Sequence, residues 1–356
     1  MVRRGWQMVG PGALAEVAEP IPPLADGQAL VRVAGCGACH TDVGFLYEGV
    51  RTRHPLPLVL GHEIAGFVEA ARGPAEALVG KAVVVPAVIP CGTCAPCRAG
   101  RGAVCREQVF PGNDVHGGFA SHVVVPGHGL CEVPGCVSAD QPLGRAGVTL
   151  RELAVVADAV STAWQANLQA AVDEGDFVVV VGAGGVGSFI LQFARHFGAQ
   201  VVAVDVRQDR LEAAREAGAI PVDARAGGVR RLVREVAGDL RARDWGWKVF
   251  EASGTPAGQV TAWELLGPAA TLVVVGYTRE QVSLRLSNLM ALDATAREAL
   301  RTELAHRREA AADRLDDGDL AALDRLLDPD DEAGLMRRPD VFLLAAHTIH
   351  VAARAE

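Results

Sequence analysis

Short apolar runs broken by glycine and proline fill the first third of the chain, and a regular strand-then-helix texture replaces them after residue 150. Between residue 28 and about 135, runs such as Ala29–Val33, Ala82–Val85 and His122–Val125 are bounded by turn-forming residues. That pattern predicts several short strands in a barrel or sandwich-like β domain. Phe177–Val181 is five consecutive apolar residues, the mark of a strand buried on both faces in a parallel sheet. Helical spacing follows over Phe189–Phe197, a strand over Val201–Val204, and a helix over Arg210–Ala217 closed by Gly218. Strand-like runs recur at Lys248–Glu251 and Thr271–Val275. Strands alternating with helices predict βαβ units and a doubly wound parallel sheet. The expected fold class is therefore α/β, with a β domain over residues 1–160 and a parallel-sheet domain over 161–296.

The stretch Arg297–Glu356 breaks this pattern: it holds two glycines, Gly318 and Gly334, amid Arg, Ala, Asp and Leu. Helices are expected over Arg297–Leu315 and Leu320–Leu327. The abrupt change suggests a shifted reading frame near residue 296, which the coding DNA read in all frames would settle. A length of 356 residues agrees with two domains, and 50% hydrophobic with 22% charged residues excludes collagen, coiled coil and disorder. The 40 glycines imply many tight turns and close backbone approaches. A net charge of −9 argues against a nucleic-acid partner, because phosphate binding needs a basic face. No apolar run after Arg3-Arg4 suits a signal peptide, and none nears the roughly 20 residues of a membrane helix, so a cytoplasmic protein without a membrane partner is expected.

Four of the eight cysteines fall between positions 91 and 105. Cys91, Cys94, Cys97 and Cys105 form C-x2-C-x2-C-x7-C, two tight knuckles that place four thiolates around one point. Such a set matches a closed, structural zinc site. An iron–sulfur centre and unliganded thiols are the alternatives. After the predicted strand Phe177–Val181 comes Gly182-Ala183-Gly184-Gly185-Val186-Gly187, a G-x-G-x-x-G turn opening a predicted helix. In that context Gly182 permits the tight turn, Gly184 lets backbone approach a pyrophosphate, and Gly187 allows helix–strand packing. Asp205, ending the next strand, is positioned to accept hydrogen bonds from a ribose and repel a 2′-phosphate, which favours NAD over NADP. Arg207 and Arg210 are the counter-argument, since arginine binds a 2′-phosphate.

Gly35-Cys36-Gly37-Ala38-Cys39-His40-Thr41-Asp42 supplies thiol, imidazole, hydroxyl and carboxylate, and Leu60-Gly61-His62-Glu63 adds a second imidazole beside a carboxylate. With the cysteine cluster and the glycine turn, residues 28–296 resemble the zinc-containing medium-chain dehydrogenase/reductase superfamily. The resemblance implies a GroES-like β-barrel catalytic domain, possibly completed by 297–356, and a Rossmann domain. It implies two zinc ions per chain and NAD. Cys39 and His62 would hold the catalytic zinc, and Asp158 stands where many relatives have Cys or Glu; its alternative role is a helix N-cap. Three ligands leave a fourth position open for substrate, whose alcohol pKa the zinc lowers so that hydride passes to the nicotinamide. Thr41 is the implied first proton acceptor, and Asp42 and Glu63 the groups that orient His62. His40 matches a position facing the cofactor pyrophosphate, and Arg210 joins Gly182, Gly184, Gly187 and Asp205 as cofactor-binding. Where some relatives continue the proton relay with a histidine this chain has Gly44, leaving Tyr47 or water as the exit.

Three further stretches, Gly49–His54, Pro111–Val115 and Arg285–Met290, are similar to one group in the superfamily, the 6-hydroxycyclohex-1-ene-1-carbonyl-CoA dehydrogenases. That likeness implies oxidation of a secondary ring alcohol beside a CoA thioester to the 6-oxo compound, in anaerobic aromatic degradation through benzoyl-CoA. Arg51 and Arg53 would meet the CoA phosphates, or else are solvated loop arginines. The alternatives are a sugar or polyol dehydrogenase of the same fold and a non-catalytic nucleotide-binding relative with a defective C-terminus. A zinc-ribbon nucleic-acid binder fits the acidic charge least. Relatives are commonly homodimers or homotetramers.

Overall fold

A computed structural model describes residues 1–144 and 147–297. The expected helices beyond residue 297, and the reading-frame break itself, concern residues outside the described ones. The chain divides into two compact units, Met1–Ser161 and a second beginning at Thr162.

The first unit opens with an antiparallel hairpin of β1 (Val2–Gly10) and β2 (Ala13–Pro20). A five-stranded antiparallel sheet follows, built from β3 (Gln28–Gly37), β4 (Glu63–Ala71), β5 (Ala82–Val85), β6 (His122–Pro126) and β7 (Cys131–Glu132), in the order β6-β3-β4-β5-β7. Period-two alternation sends Ala29, Val31, Val83, Val85, Val123 and Val125 into one core. Ala65, Phe67, Ala82 and Val84 face the other side, where Leu150, Ala154 and Ala157 cover them. Both faces are thus buried, which is why Ala82–Val85 is apolar at every position. Two register shifts bend β3 between Leu30 and Gly35, and its end turns into α1 (His40–Tyr47). The cysteine-rich lobe lies between β5 and β6 and carries the short helix α2 (Ala95–Arg98).

Among the described residues of the second unit all strand pairs are parallel. After α3 (Ala159–Ala170), which spans the division, come β8 (Phe177–Val181), α4 (Gly185–His196), β9 (Gln200–Asp205), α5 (Gln208–Glu216), β10 (Ile220–Asp223), α6 (Val229–Asp239), β11 (Lys248–Glu251), α7 (Pro256–Glu264), β12 (Thr271–Val274), α8 (Ser287–Leu292) and β13 (Thr295–Arg297). Their order, β10-β9-β8-β11-β12-β13, reverses direction between β8 and β11, as in dinucleotide-binding sheets. Val178 and Val180 pack with Ile190, Leu191 and Ala194 of α4. Phe177, Val179 and Val181 pack on the opposite face with Val233 and Ala237 of α6 and with Ala262 and Trp263 of α7. Helices on both faces make the sheet doubly wound. Helix α4 begins at Gly185, earlier than the apolar spacing suggested, because part of the glycine turn is itself helical. No helix among the described residues is long and apolar enough to cross a membrane.

One half-buried histidine, His116, makes the first unit sensitive to acid. His116 Nδ1 accepts from Val59 N–H at 3.2 Å, and burial, then Arg3 and His54, lowers its pKa from 6.5 to about 4. A base with a depressed folded pKa adds stability that is complete above the unfolded value and is lost as pH falls through about 4. The melting temperature is expected to drop between pH 6.5 and 4 more steeply in the wild type than in His116→Gln. Parallel curves would contradict this.

Candidate active site

Strand pairing builds the site. Gly37 at the end of β3 pairs with Glu63 at the start of β4, so Cys39 and His62 lie just beyond paired positions. A side chain at Gly37 would collide with the Glu63 carboxylate, and Gly61 takes a φ of +95°, open to glycine, to turn His62 inward. Cys39 caps α1, and Asp42 at the third helical position accepts from Cys39 N–H through Oδ2 at 3.0 Å. Asp42 Oδ1 accepts from Gly61 N–H at 3.1 Å and lies 3.4 Å from His62 Nδ1. That last distance is charge attraction rather than a formed hydrogen bond, and Nδ1 has no other partner.

Asp158 is far away in sequence, yet its Oδ2 lies 3.2 Å from His62 Nε2 and 3.6 Å from Cys39 Sγ. The three donor atoms lie within 4.8 Å of one another. A tetrahedral ion with ligand bonds of about 2.0–2.3 Å separates its donors by about 3.3–3.8 Å. Thiolate, imidazole and carboxylate at these separations suit zinc. The electrostatics agree. Burial opposes a charge on His62, but the pull of Asp158, Asp42 and Cys39 outweighs it and raises the imidazole pKa to about 12. The same field that attracts a proton there attracts a cation. Burial, and then the charge of Asp158, also pushes the Glu63 carboxyl up.

The other implied residues divide. Thr41 is exposed, with Oγ1 3.7 Å from Cys39 Sγ. His40 is exposed too, its Nε2 3.5 Å from Glu48 Oε1. Asp42 is the carboxylate at His62 Nδ1; Glu63 packs at Gly37 and is hydrogen-bonded by the Ala159 backbone. Asp158 closes a 3-10 turn, Glu152–Ala157, with its side chain directed at the two other donors. Phe110, which no motif flagged, sets its ring edge-on to His62 at 5.1 Å.

Cys91, Cys94, Cys97 and Cys105 also gather their sulfurs within 4.8 Å of one another. Separations of 3.3 Å (Cys94–Cys97), 3.7 Å (Cys94–Cys105) and 3.9 Å (Cys91–Cys97) approach the tetrahedral spacing of four sulfurs around zinc. The Thr93 hydroxyl, with Thr93 and Cys94 N–H, donates to Cys91 Sγ and lowers its pKa to about 6. Burial first, then neighbouring thiols, raises Cys97 to about 12. Four sulfurs this close cannot all ionise unless a cation joins them.

In the second unit, Gly182 leaves β8 with a φ of +93°, and a Cβ there would fall 2.5 Å from Ser253 N. A Cβ on Gly187 would collide with the Gly182 carbonyl. Gly184 caps α4, whose first N–H groups have no carbonyl partner within the helix. Asp205 is buried; Oδ2 accepts from Ala183 N–H at 2.8 Å, and Oδ1 from Val206 and Arg207 N–H at 2.8 and 2.9 Å. Arg210 lies beside Gly184 with Nη1 3.6 Å from Asp205 Oδ2, whereas Arg207 turns to Asp209 at 2.6 Å.

Comparisons with known proteins agree with this arrangement. A family described as alcohol dehydrogenase GroES-like domain matches residues 25–135, and one described as zinc-binding dehydrogenase matches residues 185–317. The chain is 32% identical over 200 residues to an alcohol dehydrogenase of Geobacillus stearothermophilus, a match spanning 56% of each, so little more than half of that relative's length. It is 30% identical over 273 residues to L-threonine 3-dehydrogenase of Paraburkholderia phytofirmans, covering 74% of this chain and 73% of that one. The crystal structure of galactitol-1-phosphate dehydrogenase from Escherichia coli superposes with a TM-score of 0.72 over 82% of both chains at 24% identity, a likeness of fold. The chain belongs to the zinc-type medium-chain alcohol dehydrogenases, oxidoreductases acting on CH–OH groups with zinc and a nicotinamide dinucleotide as cofactors.

Two metal contents follow. Purified protein is expected to carry two zinc ions per chain by atomic emission, falling to one in Cys94→Ser together with a lower melting temperature. In Asp42→Ala, which loses the brace on both ligand loops, zinc affinity at the Cys39 site is expected to weaken about 10–100-fold. Retention of both ions at wild-type affinity in either variant would contradict the assignments.

Proposed function

We propose that the chain oxidises a secondary alcohol to its ketone with NAD+, releasing NADH and a proton. The observation that carries this reading is the donor triangle of Cys39, His62 and Asp158 with the Thr41 hydroxyl exposed beside it. Zinc held there supplies Lewis acidity that lowers the pKa of the substrate hydroxyl. Asp42 fixes the backbone that presents two donors, and its contact with Nδ1 directs Nε2 of His62 toward the ion. Thr41 Oγ1 accepts the hydroxyl proton. Gly44 offers no side chain to pass it on, and the Tyr47 ring lies toward Gly12, so water takes it next. His40 is exposed, its Nε2 3.5 Å from Glu48 Oε1, and its pyrophosphate role rests on the family resemblance alone.

The buried Asp205 supports NAD over NADP. Oδ2, with one backbone donor, keeps a lone pair for a ribose hydroxyl while the charge repels a 2′-phosphate. Arg210, already beside that carboxylate, is partly neutralised by it. Wild-type kcat/KM is expected to favour NAD+ over NADP+ by tenfold or more, and Asp205→Ser to narrow the ratio; equal use of both by the wild type would overturn the preference.

The finer substrate reading, 6-hydroxycyclohex-1-ene-1-carbonyl-CoA, is supported by the likeness of three sequence stretches. Two of them are joined: Arg53 N–H donates to Asn113 Oδ1 at 3.1 Å, and His54 N–H to the Asn113 carbonyl at 2.8 Å. Arg51 and Arg53 are exposed, as contact with CoA phosphates requires, but Arg53 is shared with Asp114 at 3.6 Å. The second reading, a polyol or amino alcohol, is favoured by the threonine dehydrogenase relative. Assaying NAD+ reduction with the CoA ester against free secondary alcohols separates them: a higher kcat/KM for the ester supports the CoA reading, and a preference for free alcohols overturns it.

A further inference from the structure

At the reversal of strand order, β11 ends in a carboxyl group with no access to solvent. Glu251 is 0% exposed, the last residue of a strand in which it follows the buried Val249 and Phe250. Its Oε1 accepts from Ser253 N–H at 2.8 Å, Ser253 Oγ–H at 2.5 Å and Gly254 N–H at 3.2 Å. Its Oε2 is buried without a partner. The Glu251 carbonyl accepts from Val275 N–H at 2.7 Å and Gly276 N–H at 3.0 Å, so one residue ties together the ends of β11 and β12.

What it holds is the wall of the glycine turn. A Cβ on Gly182 would fall 2.5 Å from Ser253 N and 2.6 Å from Ser253 Cα, so the Ser253 backbone lies flush against the turn. Ser253 Oγ also accepts from Thr255 N–H at 3.2 Å, and Thr255 caps α7 by accepting from Gly258 N–H at 3.0 Å. Gly276 completes the packing, since a side chain there would strike Gly254 N and come within 2.5 Å of Oε2. The clamp thus fixes the ends of three neighbouring strands, β8, β11 and β12, where open α/β sheets bind their ligands.

We propose that Glu251 is a positioning residue for the dinucleotide, clamping Ser253 and Gly254 so that the Gly182 turn keeps the shape that receives the cofactor. This rests on the dinucleotide-binding reading of that turn. Burial pushes the Glu251 carboxyl above its ordinary pKa, against the hydrogen bonds from Ser253 and Gly254 that pull it down. All three donors converge on one oxygen, and a glutamine carbonyl oxygen in the same place can accept from them. A neutral group of the same shape therefore suffices, and alanine does not.

The test compares wild type, Glu251→Ala and Glu251→Gln in the zinc-loaded enzyme, by NADH titration and steady-state kinetics. In E251A the NADH Kd and the KM for NAD+ are expected to rise tenfold or more, with kcat at saturating NAD+ and the KM for alcohol within about threefold of wild type. E251Q is expected to return the NADH Kd to within about threefold. Unchanged NADH affinity in E251A, equal weakening in both variants, or equal losses in both substrates' KM values would overturn the proposal. Failure of the wild type to bind NADH would instead overturn the dinucleotide reading. If E251A does not fold, Ser253→Ala removes one donor and leaves the backbone: threefold or greater weakening supports the clamp, and unchanged affinity overturns it.

Discussion

Asp42 is buried where β3 and β4 separate, and it is shared among Cys39 N–H, Gly61 N–H and the edge of the His62 ring. The position is costly. A buried carboxylate gives up several kcal/mol of hydration, and hydrogen bonds to charged groups return about 1.5–3 kcal/mol each. Two such bonds roughly offset one carboxylate. They do not offset the whole cluster, in which Glu63, Asp158 and the Cys39 sulfur add negative character around one imidazole. A cation at the centre resolves the imbalance, and Asp42 fixes where that centre lies. Order in the ligand loops and attraction for a metal are thus two effects of one side chain.

The second unit uses buried carboxyl groups differently. Asp205 and Glu251 end β9 and β11, the strands on either side of β8, and each accepts from backbone N–H groups of the neighbouring turns. No donor triangle forms around them among the described residues. On the proposed reading these carboxyl groups shape loops for an organic cofactor, and the N-terminus of α4 would attract its phosphate. Both units therefore place acidic groups at strand ends, once to gather a metal and once to set a turn.

Local features were readable from the chain and distant ones were not. Phe177–Val181 appears with the expected limits because a strand buried on both faces leaves no polar residue to blur its ends. The four-cysteine lobe was readable because all its donors lie within fifteen positions, Cys91 to Cys105. Asp158 was not readable from pattern: it reaches Cys39 across 119 residues of sequence, and resemblance alone pointed to it. Hairpin β1–β2 escaped because Val2–Gly10 mixes arginines and glycines with a face only partly buried. Helix α6, rich in arginine, hid a narrow stripe whose buried members are Val233 and Ala237. Glu251 looked like an ordinary strand end, because its importance lies in what surrounds it.

The most direct measurement is a crystal structure of the zinc-loaded protein with an anomalous difference map collected across the zinc edge. The account expects a peak about 2.3 Å from Cys39 Sγ and about 2.0–2.2 Å from His62 Nε2 and an Asp158 oxygen, beside a second peak within the four cysteines. A single peak confined to the cysteine cluster, with Cys39, His62 and Asp158 bound to no ion, would contradict it.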